Sequence, residues 1–404
     1  MSYRYADRMG AQHKSFVSEI LGVTETPDVI SFAGGLPNPA LFPVREIAEA
    51  AEKVLSAEGE SVLQYATTQG YPPLREYIAQ RYREKSGMKV EPEEVLITSG
   101  SQQGMDLVAK LFLNKGDKVI IERPSYHVAI QAFGMFEPRF ETVPLLDDGI
   151  DPELLDKACG AEGVKLFYAI PTFQNPSGLT YSSRRRSEVA EALGRHEVVL
   201  VEDDPYSALR FQGEHLRPIW SYTERAILLG TFSKTVAPGL RLGWVCADRE
   251  VIRQMVYAKQ GTDLHTSFFD QRVLYQYLID NDVDAHIAKL ANTYKAQRDK
   301  MVSCIEAYCP SEIRSTKPEG GMFLWLTLPE GLSAMRLFHL AAEEKVCFVP
   351  GQAFHPDGGG DNAMRLSYST SDEATIEEGI RRLGRVIAKE LAVPVAPVPR
   401  PRVS

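Results

Sequence analysis

Ala226-Ile-Leu-Leu-Gly230-Thr-Phe-Ser-Lys234-Thr-Val-Ala-Pro-Gly-Leu-Arg241-Leu-Gly243-Trp-Val-Cys-Ala247 is the stretch on which the fold turns. Its first five residues are apolar without alternation, the pattern of a strand covered on both faces and not half in water. A second short apolar run, Gly243–Ala247, closes it. Runs of the same kind stand at Val95–Thr98, Lys118–Ile121, Val164–Ile170 and Val198–Glu202. Between several of them the apolar positions switch to helical spacing, as at Met105, Val108, Leu111 and Phe112, or Val189, Ala192 and Leu193. Strands alternating with helices predict an α/β fold, a mainly parallel sheet flanked by helices. Open sheets of this kind bind ligands beyond the carboxyl ends of their strands, and Lys234 stands just past one of them.

Working outward, 404 residues exceed what one hydrophobic core usually holds, so more than one domain is expected. Residues 46–285 contain all the runs above and read as a large domain. Residues 286–392 change character: a long helical pattern gives way to apolar Met322–Leu326, a helix at Ser333–Glu344, a strand at Met364–Tyr368 and a helix from Asp372 to Leu391. That is a smaller α+β domain. Residues 1–45, with Gly34-Gly35-Leu36-Pro37, hold no sheet of their own and are expected to pack with it. Residues 393–404 carry four prolines in twelve and read as an extended, flexible tail.

The charge balance, 45 basic against 54 acidic residues, gives a net −9 and no global field to gather nucleic acid or an anionic membrane. No window approaches the roughly 18 uninterrupted apolar residues of a membrane-spanning helix, and the first residues lack a signal peptide's apolar core, so the expected compartment is the cytoplasm. The five cysteines, Cys159, Cys246, Cys304, Cys309 and Cys347, are scattered and never form CxxC, so neither a disulfide framework nor a metal site is expected. Arg184-Arg185-Arg186 follows Ser182-Ser183 at a helix start and reads as a solvated face.

Four strand ends carry chemistry. Ser233 and Lys234 follow the run at 226–230, and Arg241 comes seven residues later between Gly239 and Gly243, so a hydroxyl, an amine and a guanidinium could converge on one phosphate-bearing ligand. Glu202-Asp203-Asp204-Pro205-Tyr206 ends another strand, where a buried carboxylate needs a cation or a proton. Asn175 in Pro171-Thr-Phe-Gln-Asn175-Pro176-Ser-Gly178 presents an amide at a turn. Ser99-Gly100-Ser101-Gln102-Gln103 feeds small and polar residues into a helix N-terminus, an anion cup with the helix dipole behind it. An amine to form an imine, a carboxylate to hold a pyridine nitrogen protonated and a cup for phosphate together suit pyridoxal 5'-phosphate.

The order Gly34-Gly35-Leu36-Pro37, Ser99-Gly100-Ser101-Gln102-Gln103, Asn175-Pro176-x-Gly178, Asp203-x-x-Tyr206, Ser233-Lys234 and Arg365 resembles class I/II aminotransferases of the fold-type I pyridoxal-phosphate group, most closely the 2-aminoadipate and kynurenine branch. The resemblance implies roles residue by residue. Lys234 would form the aldimine with the cofactor and act as the base between substrate Cα and cofactor. Asp203 would pair with the pyridine N–H, Asn175 and Tyr206 would donate to the phenolic oxygen, and Tyr126 would stack on the ring. Ser101, Gln102, Ser233 and Arg241 would hold the phosphate. Arg365 would grip the substrate carboxylate bidentately, and Gly35 would let substrate approach the N-terminal segment. Tyr65 would reach the phosphate of a neighbouring subunit, which implies a homodimer with shared active sites.

The implied reaction is transfer of an amino group between an L-α-amino acid and a 2-oxo acid such as 2-oxoglutarate, in a ping-pong cycle. Relatives of the aminoadipate type often carry an arginine in the N-terminal helix that can read an acidic side chain. In that register this chain has Val17-Ser18-Glu19-Ile20, with Lys14 one turn away, so a neutral, aliphatic or aromatic donor is favoured over 2-aminoadipate. A lyase or decarboxylase on the same fold is opposed by Arg365, which retains the carboxylate. A transcription regulator with an aminotransferase-like domain is opposed by the acidic charge and by Ser31 already lying in the first aminotransferase motif.

Overall fold

The computed structural model describes residues 3–10 and 28–392. The register at residues 14–20 and the proline-rich tail at 393–404 lie outside the described residues. After a single helical turn at Asp7–Gly10, strand β1 (Ile30–Ser31) precedes helices α1 (Val44–Val62) and α2 (Pro72–Ser86). The large sheet then runs β2 (Val95–Thr98), α3 (Ser101–Phe112), β3 (Lys118–Arg123), α4 (His127–Gly134), β4 (Arg139–Leu146), β5 (Gly149–Ile150), α5 (Pro152–Cys159), β6 (Val164–Ala169), α6 (Ser183–Gly194), β7 (Val199–Asp203), β8 (Ala226–Thr231) and β9 (Gly243–Cys246). Helices α7 (Arg249–Gln260), α8 (Phe268–Asp280) and α9 (Val283–Tyr308) follow. The remainder is β10 (Arg314–Ser315), β11 (Phe323–Thr327), α10 (Ala334–Glu343), β12 (Val346–Cys347), β13 (Val349–Pro350), β14 (Ala363–Ser367) and α11 (Glu373–Leu391).

The eight-stranded sheet has the order β2-β9-β8-β7-β6-β3-β4-β5. Strands β8, β7, β6, β3 and β4 are mutually parallel, while β9 runs antiparallel to both β2 and β8. The α/β expectation holds, and the non-alternating runs are explained: every residue of β8 is buried. Fully burying a side chain such as Ile227, Leu228 or Leu229 is worth about 1.5–3 kcal/mol each. Because β9 is reversed, its first residue, Gly243, pairs with the last residues of β2 and β8, Thr98 and Thr231. The loop carrying Arg241 therefore opens onto the same edge as Ser99, Asp203 and Lys234.

A four-stranded antiparallel sheet, β10-β11-β14-β13, forms the smaller α+β part with α10 and α11. The N-terminal segment joins it, since Ile30–Ser31 pairs in parallel with Val346–Cys347 and Ser367 N donates to Phe32 O at 2.8 Å. Among its described residues the segment's one strand, β1, pairs with β12 of the small part.

One surface reading is corrected. Arg184 is exposed, but Arg186 is buried, with 1% of its surface accessible. Its guanidinium donates to the carbonyls of Tyr181, Arg217 and Pro171 and to Thr172 Oγ1, at 2.7–3.1 Å, and lies 3.8 Å from Glu202. Ser182 caps the helix by accepting from Arg185 N, and the helical turn then swings the third arginine inward under the 171–181 loop.

Candidate active site

The carboxyl ends of β2, β6, β7 and β8 border one cavity, lined by Gly100, Ser101, Gln102, Tyr126, Asn175, Asp203, Tyr206, Ser233, Lys234 and Arg241. Nine of the predicted site residues thus come together from separate loops, with Gly100 added. Arg365 and Gly35 border the group through hydrogen bonds, whereas Tyr65 does not belong to it. Tyr65 is 79% exposed, and its ring stands edge to face with His265 at 5.8 Å.

Lys234 leaves β8 by three residues and its Nζ donates to Gly35 O at 2.9 Å. Burial first, then the cations of Arg365 and Arg241, lower its pKa to about 8 against the opposing pull of Asp203. An amine so poised exchanges a proton readily near neutral pH. Gly35 itself lies close to the Phe323 ring, where an added Cβ would come within 2.9 Å of Cζ.

Asp203 ends β7 fully buried. Tyr168 OH donates to its Oδ2 at 2.8 Å, while Oδ1 is buried without a partner. Burial raises its pKa to about 7, with the Tyr168 hydrogen bond pulling the other way. An N–H donor arriving at Oδ1 would satisfy the orphaned oxygen and favour the ionised carboxylate.

Asn175 bridges two groups. Its Oδ1 accepts from Arg365 Nη1 at 2.8 Å, which turns Nδ2 towards the Tyr206 hydroxyl at 3.4 Å. Tyr206 is buried and edge-on to Phe323, and burial keeps its hydroxyl protonated. Arg365 is held at both terminal nitrogens, with Nη2 donating to Ala33 O at 2.7 Å, and its plane lies between Phe323 at 4.3 Å and Phe354 at 5.1 Å. Burial lowers its pKa to about 10, which leaves it a cation.

The anion cup forms where α3 starts. Its cap residue Gly100 has φ 80° and offers no side-chain cap, so the first-turn N–H groups are not taken by one. An added Cβ on Gly100 would stand 2.7 Å from Arg241 Nη2, and Arg241 is itself held in a left-handed conformation with Nη2 donating to Ser99 O at 3.4 Å. Ser233 Oγ accepts from Thr231 Oγ1 at 2.9 Å on the other side. Backbone N–H groups, two serines and an arginine at a helix N-terminus fit a phosphate, and the orphaned Asp203 oxygen fits a pyridine N–H. The cavity therefore fits pyridoxal phosphate.

The family model for aminotransferase class I and II matches residues 27–383. The chain belongs to the class I and II aminotransferases. It is 41% identical to aromatic-amino-acid aminotransferase 1 of Thermococcus litoralis over 96% of this chain and 94% of that one. Among solved structures, kynurenine aminotransferase of Pyrococcus horikoshii, in complex with PMP, KYN and KYA, superposes with a TM-score of 0.92 at 40% identity, covering 96% and 98% of the two chains. The alpha-aminoadipate aminotransferase of Thermus thermophilus, complexed with N-(5'-phosphopyridoxyl)-L-leucine, gives a TM-score of 0.89 at 41% identity, with the same coverage. The aminotransferase depends on pyridoxal phosphate, and its fold is that of these enzymes.

Sequence reading passed over several side chains of this aminotransferase. Tyr168 is one residue inside a run read only as strand, yet its hydroxyl orients Asp203. Phe323 and Phe354 flank Arg365, and Gln174 fixes the loop that bears Asn175. The period-two pattern of β6 places Tyr168 on one face with Leu166 and Ile170, which was the one available signal. Met105 and Ile170 also line the cavity.

Proposed function

We propose that the site residues act as their places in the cavity suggest, in an amino-group exchange between a neutral L-α-amino acid, aliphatic or aromatic, and a 2-oxo acid such as 2-oxoglutarate. The observation that carries this reading is the convergence of Lys234 Nζ, the orphaned oxygen of Asp203 and the forked cation of Arg365 on one cavity edge. When bound, pyridoxal phosphate supplies the aldehyde that accepts the amino group and the electron sink for the bond broken at Cα. Ser101, Gln102, Ser233 and Arg241 would hold its phosphate, Tyr126 would pack against its ring, and Asp203 Oδ1 would accept from its ring nitrogen. Asn175 and Tyr206 face its phenolic oxygen. Arg365 binds the substrate carboxylate, and Lys234 Nζ takes the proton from substrate Cα and returns it on the way back.

The exposed Tyr65 supports a homodimer in which that ring covers the partner's phosphate site, since a tyrosine 79% exposed has little to hold it in a monomer. Five unpaired cysteines support a reducing compartment, the cytoplasm. Residues 46–285 would form the cofactor-binding part, and 286–392, with the segment up to 45, the part that closes on substrate. No helix among the described residues is long and apolar enough to cross a membrane. The likeness to the alpha-aminoadipate enzyme favours 2-aminoadipate as the second candidate donor. A panel of lysine, 2-aminoadipate, leucine, tyrosine and kynurenine, each scored by the change in absorbance of the bound cofactor, tests both. Leucine, tyrosine or kynurenine should react fastest; 2-aminoadipate leading would overturn the neutral preference, and activity surviving Lys234→Ala would overturn the site.

A further inference from the structure

Glu122, the penultimate residue of β3, is completely buried, with β6 standing between its strand and that of Asp203; it lies outside the cavity, and none of the roles above uses it. Among the described residues no lysine, arginine or histidine forms an ion pair with it. Instead three neutral donors converge on the carboxylate. Tyr181 OH donates to Oε1 at 2.8 Å, and Gln174 Nε2 and Ile170 N donate to Oε2 at 3.0 and 3.3 Å. Burial pushes its pKa up to about 7, the three hydrogen bonds pull it back, and the nearby Asp203 charge adds to the rise. Donors on every side and no acceptor suit the ionised form, a costly group to bury without a cation.

What the carboxylate touches gives that cost a purpose. Gln174 Oε1 accepts from both Ser177 N and Ser177 Oγ, at 2.9 and 2.7 Å, which fixes the amide so that Nε2 faces Glu122. The same Nε2 also donates to Pro124 O at 2.8 Å. Pro124 lies two residues before Tyr126, and Gln174 lies directly before Asn175, the residue that spans Tyr206 and Arg365. One buried amide, aimed by one buried carboxylate, thus links the loop that presents the ring-packing tyrosine to the loop that presents the bridging asparagine.

We propose that Glu122 is a positioning residue for the transamination: acting through Gln174, it holds the Tyr126 and Asn175 loops in fixed relation where both line the cavity. This rests on the roles given above to Tyr126 and Asn175. In Glu122→Gln the charge is lost: a new NH2 on one side meets the Gln174 and Ile170 donors, and on the other it obliges the Tyr181 hydroxyl to turn from donor to acceptor, so the link loosens. In Gln174→Met the link is removed while Glu122 keeps its Tyr181 and Ile170 donors.

Both variants of the loaded enzyme are expected to shift the midpoint of the absorbance-against-pH titration of the bound cofactor by about half a unit or more. Both should also lower kcat for amino acids about 10- to 100-fold with a smaller change in KM. A role confined to folding would lower Tm and leave the titration in place. The proposal is overturned if Gln174→Met, whatever becomes of Glu122→Gln, titrates and turns over like the parent. Absence of the cofactor band in the parent would instead sink the assignment of the site itself, so the two failures are distinguishable.

Discussion

Replacing Arg365 with lysine separates the charge at the substrate site from its shape. Each terminal nitrogen of Arg365 already serves an acceptor, Asn175 Oδ1 at 2.8 Å and Ala33 O at 2.7 Å, and the flat guanidinium fills the gap between Phe323 and Phe354. Lysine keeps one positive charge but has no fork, so it cannot reach across from Asn175 to Ala33 and present two parallel donors to a carboxylate. The loss of one charge-assisted hydrogen bond to substrate is worth about 1.5–3 kcal/mol. That converts to a fall of roughly 10- to 150-fold in kcat/KM. The assay is the half-reaction followed by the absorbance of the bound cofactor in a stopped-flow instrument, with L-leucine and with isoamylamine, which has the same side chain and no carboxylate. Leucine should slow by the stated factor and isoamylamine should be unchanged. An equal loss for both would refute the assignment, because it would place the defect in the shape of the cavity and not in carboxylate recognition.

Thermal unfolding of the cofactor-free protein should show Lys234 as a burden on stability at neutral pH, because its folded pKa of about 8 lies below its ordinary value near 10.5. The unfolded chain then binds the extra proton between those values, so stability rises with pH across that window, and the Tm advantage of Lys234→Met should shrink from pH 8 to 10.5. Gly243→Ala would drive a Cβ to 2.7 Å from the backbone of Gly100 and Ser101, which cannot yield cheaply; a loss of about 1–3 kcal/mol in denaturant unfolding and weaker cofactor retention are expected. Arg186→Met strips four hydrogen bonds from a buried loop and leaves Glu202 without its cation, and should cost about 3–5 kcal/mol in the same measurement while the cavity residues stay unaltered.

The elements that were legible in the sequence are those whose environment is uniform. Strands β2, β6, β7, β8 and β9 are largely buried on both faces, so their apolar runs stand out, and their carboxyl ends and the segments that follow carry Ser101, Asn175, Asp203 and Lys234 on the expected edge. Strand β4 escaped because its sequence, Arg-Phe-Glu-Thr-Val-Pro-Leu-Leu, is mostly half-exposed and contains Pro144, which resembles no core strand. Arg186 was misread because three adjacent arginines look alike in one dimension, whereas a helix turns each by about 100° and sends one inward. Tyr168 and Gln174 were hidden for a different reason: their contribution is a hydrogen bond to another loop, and no local pattern records which loop that is.

The pairing of Ile30–Ser31 with Val346–Cys347 has a mechanical consequence. From residue 30 to 36 the chain is fastened to the small sheet at successive points: Phe32 O receives Ser367 N, Ala33 O receives Arg365, and Leu36 O receives Ser369 Oγ at 2.6 Å. Gly35 O, which holds Lys234 Nζ, sits inside this fastened stretch. The guanidinium proposed to bind the substrate's carboxylate and the hydrogen-bond partner of Lys234 are therefore mounted on one carriage. A displacement of the small sheet that brings Arg365 towards a substrate also repositions the acceptor at Lys234, so the arrival of an amino acid can be felt at the amine through rigid translation, without any loop having to refold.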